Sequence, residues 1–348
     1  MKTNVISLAE MERARDARDA TYDGVFFIAV KTTGIFCRVS CPARPKRENI
    51  EFFPEISDAI AAGYRPCKRC RPDLINGQPP EWVAHVMGRV SAQPEERVRA
   101  ADLRTMGVSP ERARRWFQQN YGMTFSDWSR GLRLSSAFTQ LRNGEPKEDV
   151  MLGNGFHSHS GFNAALARTR GDNGDGASDC IRMTMIETSI GPMVAAANES
   201  GVCFLEFADR RGLEGTYEDL RQRFHCAVLP GENKTLQRLR AELGEYFAGE
   251  LDRFSVPLTV RGTDFQENVW QELQKIPHGK TVSYEDIAQR VGNRRAVRAV
   301  ARANGTNRIC ILIPCHRVIA KDGSLSGYGG GVWRKRLLLD LEQKSTAA

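Results

Sequence analysis

The chain has 348 residues, 41% of them hydrophobic, and Lys and Arg exceed Asp and Glu by 50 to 42. This length is too great for one ordinary domain, so we expect two or three, and the basic excess makes an acidic polymer a plausible partner. No apolar run reaches the roughly eighteen residues of a membrane span, and Met1 to Glu10 lack a signal core, so we expect a cytoplasmic protein.

Cysteines provide the first motif along the chain. There are nine, an odd number, so complete disulfide pairing is excluded, and we expect thiols or metal ligands. Cys37 and Cys41 form one close pair and Cys67 and Cys70 another, with 25 residues between the pairs. This spacing predicts one Zn²⁺ ion held by four thiolates, and by itself it favours a structural role for the ion.

Basic side chains crowd these cysteines. A basic rim of this kind suits DNA phosphates, although many charged runs form only a solvated surface. Its members are Arg38, Arg44, Lys46, Arg47, Arg65, Lys68, Arg69 and Arg71.

This region resembles the N-terminal zinc domain of the bacterial Ada proteins. The resemblance is carried by the segments Lys31 to Arg38, Arg47 to Asn49 and Pro66 to Cys70. It implies that Cys37, while bound to zinc, accepts a methyl group from a methylphosphotriester in DNA. It also implies DNA contacts from three arginines, Arg38, Arg47 and Arg69. Because methyl transfer removes one negative charge from the thiolate cluster, we expect it to strengthen DNA binding.

Residues 79–170 are predicted to be helical, beginning with a helix-turn-helix. Its helices are predicted at Leu103 to Gly107 and Ser109 to Asn120, where Ser109 is a natural N-cap and Pro110 a natural first helical residue. Arginines at the start of the second helix suit a recognition helix in a DNA groove. They are Arg112, Arg114 and Arg115. An ordinary helical hairpin with exposed arginines is the alternative interpretation.

A second, weaker unit is predicted from Val150 to Arg170, with Phe162 and Leu166 as packing positions. The pair of units resembles the AraC-type DNA-binding domain. The resemblance implies operator contacts from Arg112 and Arg115 of the recognition helix. Residues 171–179 are rich in Gly, Asp and Asn, which predicts a flexible linker and an incomplete second unit.

Strand patterns follow the linker. Alternation and turn residues predict strands at Ile181 to Thr188, Gly191 to Asn198 and Gly201 to Phe207. Helices are expected at about Tyr217 to Phe224 and Asn233 to Phe247. The pattern predicts a small α/β unit.

A second helix-turn-helix pattern begins after a short strand at Thr281 to Ser283. One helix is predicted from Glu285 to Val291 and another from Arg294 to Ala303, with Asn293 as its N-cap. The second helix would then carry several arginines on adjoining turns, as a DNA-contacting helix does. They are Arg294, Arg295, Arg298 and Arg302.

The segment Ile311 to Val318 contains the most distinctive chemistry. Its three aliphatic residues predict a buried strand that Pro314 ends, which places Cys315 at the strand terminus. His316 and Arg317 would supply a proton acceptor and a positive field that lower the pKa of this cysteine. The spacing alone favours a plainer interpretation, a half-buried cysteine of no special reactivity.

An amphipathic helix is predicted from Trp333 to Gln343. If Leu337, Leu338 and Leu341 pack inward, Glu342 comes close to the buried edge and can orient His316. The motif from Pro314 to Val318 resembles the acceptor motif of the O6-alkylguanine-DNA alkyltransferases.

The resemblance to the alkyltransferases extends from about Cys180 to Glu342 and implies a reaction as well as a fold. Cys315 would accept the alkyl group of O6-methylguanine, and of O4-methylthymine, once per protein molecule. His316 would deprotonate Cys315 through a water, and Glu342 would fix the tautomer of His316. The further roles implied are for Tyr284 in base extrusion, Arg298 in filling the vacated stack, Asn307 in bracing the turn, Tyr328 in lining the pocket and Arg317 in contacting DNA.

Together these patterns and the family resemblances imply a multidomain α+β protein. Its parts are a small zinc-binding α/β domain (1–78), an AraC-type helix-turn-helix α domain (79–170), a linker (171–179), a ribonuclease-H-like α/β subdomain (180–261) and a winged-helix-like alkyltransferase domain (262–348). The expected function is DNA repair coupled to transcriptional activation. The expected partners of this monomeric, nucleoid-associated protein are double-stranded DNA, either alkylated or carrying a promoter operator, and RNA polymerase. Two alternatives stay open, namely a regulator that recognises alkylated DNA without methyl transfer and a zinc redox switch of transcription.

Overall fold

This computed structural model describes residues 6–72, 80–93, 95–121, 123–169, 180–210, 215–325 and 327–347. The predicted linker at 171–179 lies outside these ranges. The described residues form a multidomain α+β fold, as the sequence predicts. In these ranges, no helix combines the length and the apolar character that crossing a membrane requires.

The N-terminal unit, which we call the zinc module, comprises residues 6–72. Helix α1 (Leu8–Ala17) begins where the Ser7 side chain accepts a hydrogen bond from Glu10 N. A four-stranded sheet follows, with spatial order β3-β1-β2-β4. The remaining elements are β1 (Phe27–Val30), β2 (Ile35–Cys37), β3 (Ile50–Phe53), α2 (Ile56–Ala61) and β4 (Arg65–Pro66).

The sheet of the zinc module determines where the cysteines lie. Strands β2 and β4 pair in parallel, with Phe36 opposite Pro66. Cys37 is the last residue of β2 and Cys67 directly follows β4, and Cys67 N donates to the Phe36 carbonyl at 2.9 Å. Because parallel strands end at the same edge, the two cysteine pairs meet there.

The middle of the chain is helical. Its elements are α3 (Glu81–Ala92), α4 (Ala100–Thr105), α5 (Pro110–Tyr121), α6 (Phe125–Arg142), α7 (Lys147–Gly153) and α8 (His159–Thr169). Helix α5 begins as predicted, since Ser109 Oγ accepts a hydrogen bond from Arg112 N at 3.1 Å. Phe162 and Leu166 of α8 are buried against α6 and α7, which confirms their predicted packing. Both helix-turn-helix units are therefore present.

The α/β unit that follows has a four-stranded sheet of order β7-β6-β5-β8. The three predicted strands are confirmed, and the parallel edge strand β8 was not predicted because its three residues carry too little pattern. Its elements are β5 (Ile181–Ile186), β6 (Met193–Ala197), β7 (Val202–Phe207), α9 (Thr216–Phe224), β8 (Val228–Pro230) and α10 (Lys234–Ala248). Helix α6 of the helical region packs on β8, where Gly131 lies against Pro230.

The C-terminal unit joins this sheet through one large apolar core. Its two short strands pair in parallel. Its elements are α11 (Asp264–Gln274), β9 (Val282–Ser283), α12 (Tyr284–Arg290), α13 (Val297–Gly305), β10 (Val318–Ile319) and α14 (Val332–Ala347).

The predicted start of the second helix in this unit is wrong. Helix α13 begins at Val297 rather than at Arg294. Asn293 accepts a hydrogen bond from Arg295 N at 3.1 Å and so closes a local turn instead of capping the helix. Asparagine favours both arrangements, and sequence pattern cannot separate them. Arg298 still lies on the first turn of α13.

The predicted strand at Ile311 to Ile313 is also wrong. Ile311 has φ 71°, and the segment forms only isolated bridges, Cys310 with Ile313 among them. The three residues are nevertheless buried, with 1%, 8% and 1% exposure. A short aliphatic run reports burial, and it does not by itself distinguish a strand from a buried turn.

A buried thiol and a four-cysteine cluster

Cys315 starts a short 3₁₀ helix, Cys315–Arg317, directly after Pro314. The thiol residue is 5% exposed. Asn307 fixes the turn that leads to it, since its Nδ2 donates to the Ile313 carbonyl at 2.9 Å and its Oδ1 accepts from Ile309 N at 3.0 Å. This is the bracing position that the resemblance implies for Asn307.

His316 and Glu342 form a buried pair beside this thiol. Nε2 of His316 lies 2.8 Å from Oε1 of Glu342, and both side chains have 0% exposure. Because the carboxylate is an acceptor, Nε2 carries the proton and Nδ1 is left as the basic nitrogen. Within the described part of the chain, Nδ1 has no hydrogen-bond partner. His316 is therefore held in the tautomer that can accept a proton.

Glu342 is the centre of a larger buried network. Its Oε1 also accepts from the Tyr246 hydroxyl at 2.7 Å, and its Oε2 accepts from Gly279 N at 3.2 Å. Arg317 donates to both carboxylate oxygens, at 2.9 and 3.0 Å. Burial opposes the charge on Glu342, but His316 and Arg317 outweigh it and hold the pKa of Glu342 well below its usual range.

Arg317, for which the resemblance implies a DNA contact, is directed inward in this structure. Arg317 is 7% exposed, and it donates internally to Glu342 and, at 2.6 Å, to the Ile276 carbonyl. Its guanidinium stabilises the ionised carboxylate that orients His316. Arg317 therefore acts on Glu342 through a buried ion pair, and its charge is not exposed to solvent.

The pKa of Cys315 also differs from the expectation. Burial raises the pKa of the Cys315 thiol, against the lowering effects of the Asn307 hydrogen bond and the charges of Lys335 and Arg210. Burial likewise lowers the pKa of His316. Both shifts favour the neutral forms, a thiol and an imidazole, at neutral pH, so a thiolate at Cys315 would require transfer of its proton.

Two buried groups near this site were missed by sequence reasoning. Lys335 is fully buried on α14, donates to the Val318 carbonyl at 2.7 Å, and has its pKa lowered by burial to about 8. Tyr246 of α10 reaches the site from a distant part of the chain. Lys335 precedes Glu342 by two helical turns, a spacing that does place both on one face of α14.

The remaining residues assigned to the alkylguanine site are Tyr284, Arg298 and Tyr328. Tyr284 is the first residue of α12 and Arg298 is exposed at the start of α13. The Tyr328 ring is half buried, and burial together with the thiols of Cys310 and Cys315 raises the pKa of its hydroxyl. Tyr284 and Tyr328 both interact electrostatically with the Cys315 thiol, although they belong to different parts of the chain.

The four cysteines of the zinc module converge as the spacing predicts. The four sulfur atoms of Cys37, Cys41, Cys67 and Cys70 all lie within 4.8 Å of one another. Hydrogen bonding to Cys70, burial and the neighbouring thiols raise the pKa of Cys37, while the contact with Cys37 lowers the pKa of Cys70 to about 5. Thiols this close ionise together only when a cation joins them, and the donor set fits one tetrahedral Zn²⁺.

Basic residues flank this cluster. Cys37 borders a cavity of about 30 Å³ that is also lined by Arg15, Arg18 and Arg38, of which the first two were missed by sequence reasoning. Arg38 donates to the Arg71 carbonyl at 2.9 Å. Arg69 is exposed, and Arg47 is exposed and pairs with Glu12.

The arginines of the first helix-turn-helix are exposed on α5. The Arg112 guanidinium lies over the Trp82 ring at 4.8 Å, and Arg115 pairs with Glu111 at 3.3 Å. Both therefore stand on the solvent side of a helix whose other face is buried by Ala113 and Phe117. This is the arrangement expected of a recognition helix.

The fold and the sites define a class of protein, a multidomain chain that combines a zinc-binding unit, helix-turn-helix units and an alkyltransferase unit. Four family models match the chain: "Metal binding domain of Ada" over residues 10–73, "Helix-turn-helix domain" over 103–173, and two of 6-O-methylguanine DNA methyltransferase. The last two are its ribonuclease-like domain, over 181–260, and its DNA binding domain, over 264–344.

Comparison with characterised proteins gives the family. The Escherichia coli K12 "Bifunctional transcriptional activator/DNA repair enzyme Ada" is 36% identical over 338 residues, which is 94% of each chain. This chain belongs to the Ada family. The Mycobacterium tuberculosis methylated-DNA–protein-cysteine methyltransferase is 46% identical over 168 residues, covering 48% of this chain and 96% of that one. The crystal structure of the O6-methylguanine methyltransferase from the same organism has a TM-score of 0.40, with 45% identity over 47% of this chain and 94% of that one.

Proposed function

We propose that this protein repairs alkylated DNA by two irreversible methyl transfers. Cys315 takes the methyl group of O6-methylguanine, or of O4-methylthymine, and zinc-bound Cys37 takes that of a methylphosphotriester. Methylation of Cys37 then switches on sequence-specific DNA binding and transcriptional activation of the response to alkylation. The observation that carries the proposal is the buried set of Cys315, His316 and Glu342, which matches the nucleophile, base and orienting carboxylate of covalent catalysis.

The reaction at Cys315 follows from this geometry. The sulfur attacks the methyl carbon in line, the carbon–oxygen bond breaks, and the guanine leaves as an anion. The thiol proton passes through a water to Nδ1 of His316, and Glu342 stabilises the imidazolium that forms. Tyr284 then protonates the guanine anion as it leaves, and the tyrosinate regains a proton through solvent from the imidazolium of His316, so that both side chains end neutral. The thioether product has no hydrolysable bond, so each site works once.

Reaching the lesion requires base extrusion, because the O6 methyl group of a stacked guanine is inaccessible to a buried thiol. Arg298, exposed on the first turn of α13, occupies the gap that the base leaves. Tyr284 promotes extrusion, and Tyr328 lines the pocket that receives the base. Arg298 therefore acts on the duplex that the base leaves, and Cys315 acts on the extruded base.

The reaction at Cys37 uses the cluster of four cysteines. Zinc, when bound, keeps the thiolates ionised at neutral pH. Arg38, Arg47 and Arg69 hold the DNA backbone, while Cys37 takes the methyl group and becomes a thioether. The phosphate diester regains its negative charge in the same step.

We also propose that the protein binds double-stranded DNA and RNA polymerase. Double-stranded DNA is bound both as alkylated substrate and as a promoter operator, the latter through Arg112 and Arg115. RNA polymerase is the expected partner in activation, and the protein acts as a monomer at the nucleoid in the cytoplasm.

Peptide-resolved mass spectrometry tests the two transfers. After incubation with a duplex that carries O6-methylguanine and a methylphosphotriester, we expect one added methyl group on the peptide with Cys315 and one on the peptide with Cys37. The Cys315→Ala variant should lose only the first, because the second site lies in a separate module. Unchanged protein mass would overturn the proposal and favour a regulator that recognises lesions without reacting.

A different outcome would favour the interpretation of the protein as a zinc redox switch of transcription. If peroxide released zinc and altered DNA binding while methylated DNA left both cysteines unmodified, a zinc redox switch would be favoured instead. More than one methyl group removed from DNA per reactive cysteine, with excess substrate, would contradict the single-use mechanism.

Methylation of Cys37 should raise DNA affinity by a few-fold, because one negative charge near the phosphates is lost. Binding of one fixed duplex should be measured across a salt series, with protein methylated at Cys37 compared with unmodified protein. Protein methylated only at Cys315 is the matched control and should bind as the unmodified form does. Equal affinities at every salt concentration would contradict this electrostatic switch.

A further inference from the structure

The zinc module packs directly on α14, the helix that carries Lys335 and Glu342. From this contact we infer that the zinc module is a docked support for the alkylguanine site, so that the two repair sites are mechanically coupled. The inference rests on the proposed transfer to Cys315, because the rate of that transfer is what the docking affects. The surface consists of Glu10, Thr21 and Tyr22 of the zinc module against Gly331, Trp333 and Arg336.

A desolvated ion pair forms one half of this surface. Glu10 of α1 is 6% exposed, and its two carboxylate oxygens contact the Tyr22 hydroxyl at 2.7 Å and Arg336 at 2.9 Å. The Arg336 side chain is 27% exposed. A carboxylate is rarely buried without partners, and here one of its two partners comes from a residue more than 300 positions away in the sequence.

Close backbone contact forms the other half. Trp333 Nε1 donates to the Thr21 carbonyl at 2.6 Å. Gly331 has φ 94°, and a Cβ atom there would lie 2.5 Å from Thr21 Oγ1, so only glycine fits. Trp333 is 8% exposed and packs in one cluster with Val39 and Phe26 of the zinc module. This is the packing of a continuous core and not of a loose encounter between modules.

Two short segments of the chain connect the docked surface to the alkylguanine site, namely the loop that carries Tyr328 and helix α14. Gly331 lies three residues after Tyr328, so Thr21 restrains the end of the loop that carries this ring. On α14, Trp333 and Arg336 face the zinc module, whereas Lys335 donates to the Val318 carbonyl and Leu338 enters the core behind Cys315. One helix is therefore held from both sides, and Glu342 lies further along it.

The same surface is tied to the cysteine cluster. Asp23 accepts hydrogen bonds from the backbone N of Ser40, at 2.8 Å, and from its hydroxyl. Arg18 donates to the Pro42 carbonyl at 3.1 Å. The segment that contacts α14 thus also holds the loop between Cys37 and Cys41, so loss of order at the metal site would reach the docked surface.

Variants of the ion pair in the full-length chain test the inference. The rate constant of a single methyl transfer to Cys315 should be measured with an O6-methylguanine duplex for Glu10→Ala, Arg336→Ala and the double variant. We expect each single variant to react about three- to tenfold more slowly, and the double variant to react no more slowly than either single one. Asp16→Ala is the matched control on α1, because its carboxylate is exposed and pairs with the neighbouring Arg15.

A second readout separates coupling from a general loss of stability. Trp333→Phe keeps an aromatic ring but removes the hydrogen bond to Thr21 and part of the indole over which Arg334 lies, and it should slow transfer in the same direction. Chelation of zinc should slow transfer to Cys315 in the unaltered chain and have no further effect in Arg336→Ala. Equal rates for the unaltered chain and Glu10→Ala would overturn the inference, whereas no transfer to Cys315 in the unaltered chain would instead overturn the proposed function.

Discussion

Replacing Glu342 with glutamine should slow methyl transfer to Cys315 by at least about a hundredfold, because His316 loses the carboxylate that fixes its tautomer and stabilises its protonated form. The glutamine amide would also turn a donor toward Arg317, Gly279 N or Tyr246, which are all donors in this site. The measurement is the rate constant of a single transfer from an O6-methylguanine duplex, followed by methylation of the Cys315 peptide.

The same substitution should destabilise the C-terminal unit by about 3 to 5 kcal/mol, since it leaves the buried Arg317 guanidinium without its counter-ion. Glu242→Gln is the matched control. Glu242 is also buried, accepts from Arg238 at 2.9 Å and from the backbone N of Ser255 at 2.8 Å, and lies on α10 outside the alkylguanine site. We expect Glu242→Gln to lower the free energy of unfolding while transfer stays close to that of the unaltered chain.

These two variants separate chemistry from stability. If Glu342→Gln and Glu242→Gln lost stability alike and transferred methyl groups at the same rate, Glu342 would be structural only.

The pH dependence of unfolding gives a separate test of the charge on Glu342. Because the pKa of Glu342 is held below its usual range, its ionised form contributes stability above its unfolded pKa, and this stability is lost as pH falls through the folded value. Acid unfolding of Glu342→Gln should lack that contribution.

Removing one zinc ligand should have the second large effect. Cys41→Ala should abolish zinc binding and unfold residues 6–72, because structural zinc sites contribute about 10 to 16 kcal/mol of binding free energy to folding. Metal analysis should show one zinc ion per unaltered chain and none in the variant. Hydrogen exchange in β1 and β2 should rise to the rates of an unfolded peptide.

The control for this variant is a cysteine outside the cluster. Cys226→Ala removes a half-buried thiol that is not among the four convergent sulfurs, and it should retain one zinc ion per chain. Retention of zinc and of exchange protection by Cys41→Ala would show that the module folds without a complete ligand set. It would also remove the basis for expecting zinc chelation to affect Cys315.

Local sequence features gave much of each site correctly. The two cysteine pairs, the Ser109 cap with Pro110, and the motif from Pro314 to Val318 depend on residues a few positions apart. Side chains this close in sequence are confined by covalent geometry and helix or turn preferences, so their spacing alone predicts their local arrangement. The match to the Ada family agrees with what these motifs imply about the chain.

Errors arose where two local outcomes have similar energies. Asn293 can cap a helix or close a turn, and the structure has the turn. Ile311 and its neighbours can be buried in a strand or in a compact turn, and contacts made by Asn307 select the turn. In both cases the deciding interactions lie outside the pattern that the sequence displays.

The sequence by itself determined the identity of the reactive groups, namely four convergent cysteines, a thiol next to a histidine, and arginines at helix starts. Only the tertiary structure decided the ionisation of Cys315, the internal role of Arg317, the burial of Lys335 and the docking of α1 on α14. The physical reason is desolvation. A side chain is buried by elements that can lie hundreds of residues apart in the sequence. Burial raises the pKa of Cys315, where its neighbours in sequence predict a lower one, and it keeps the charge of Arg317 away from solvent.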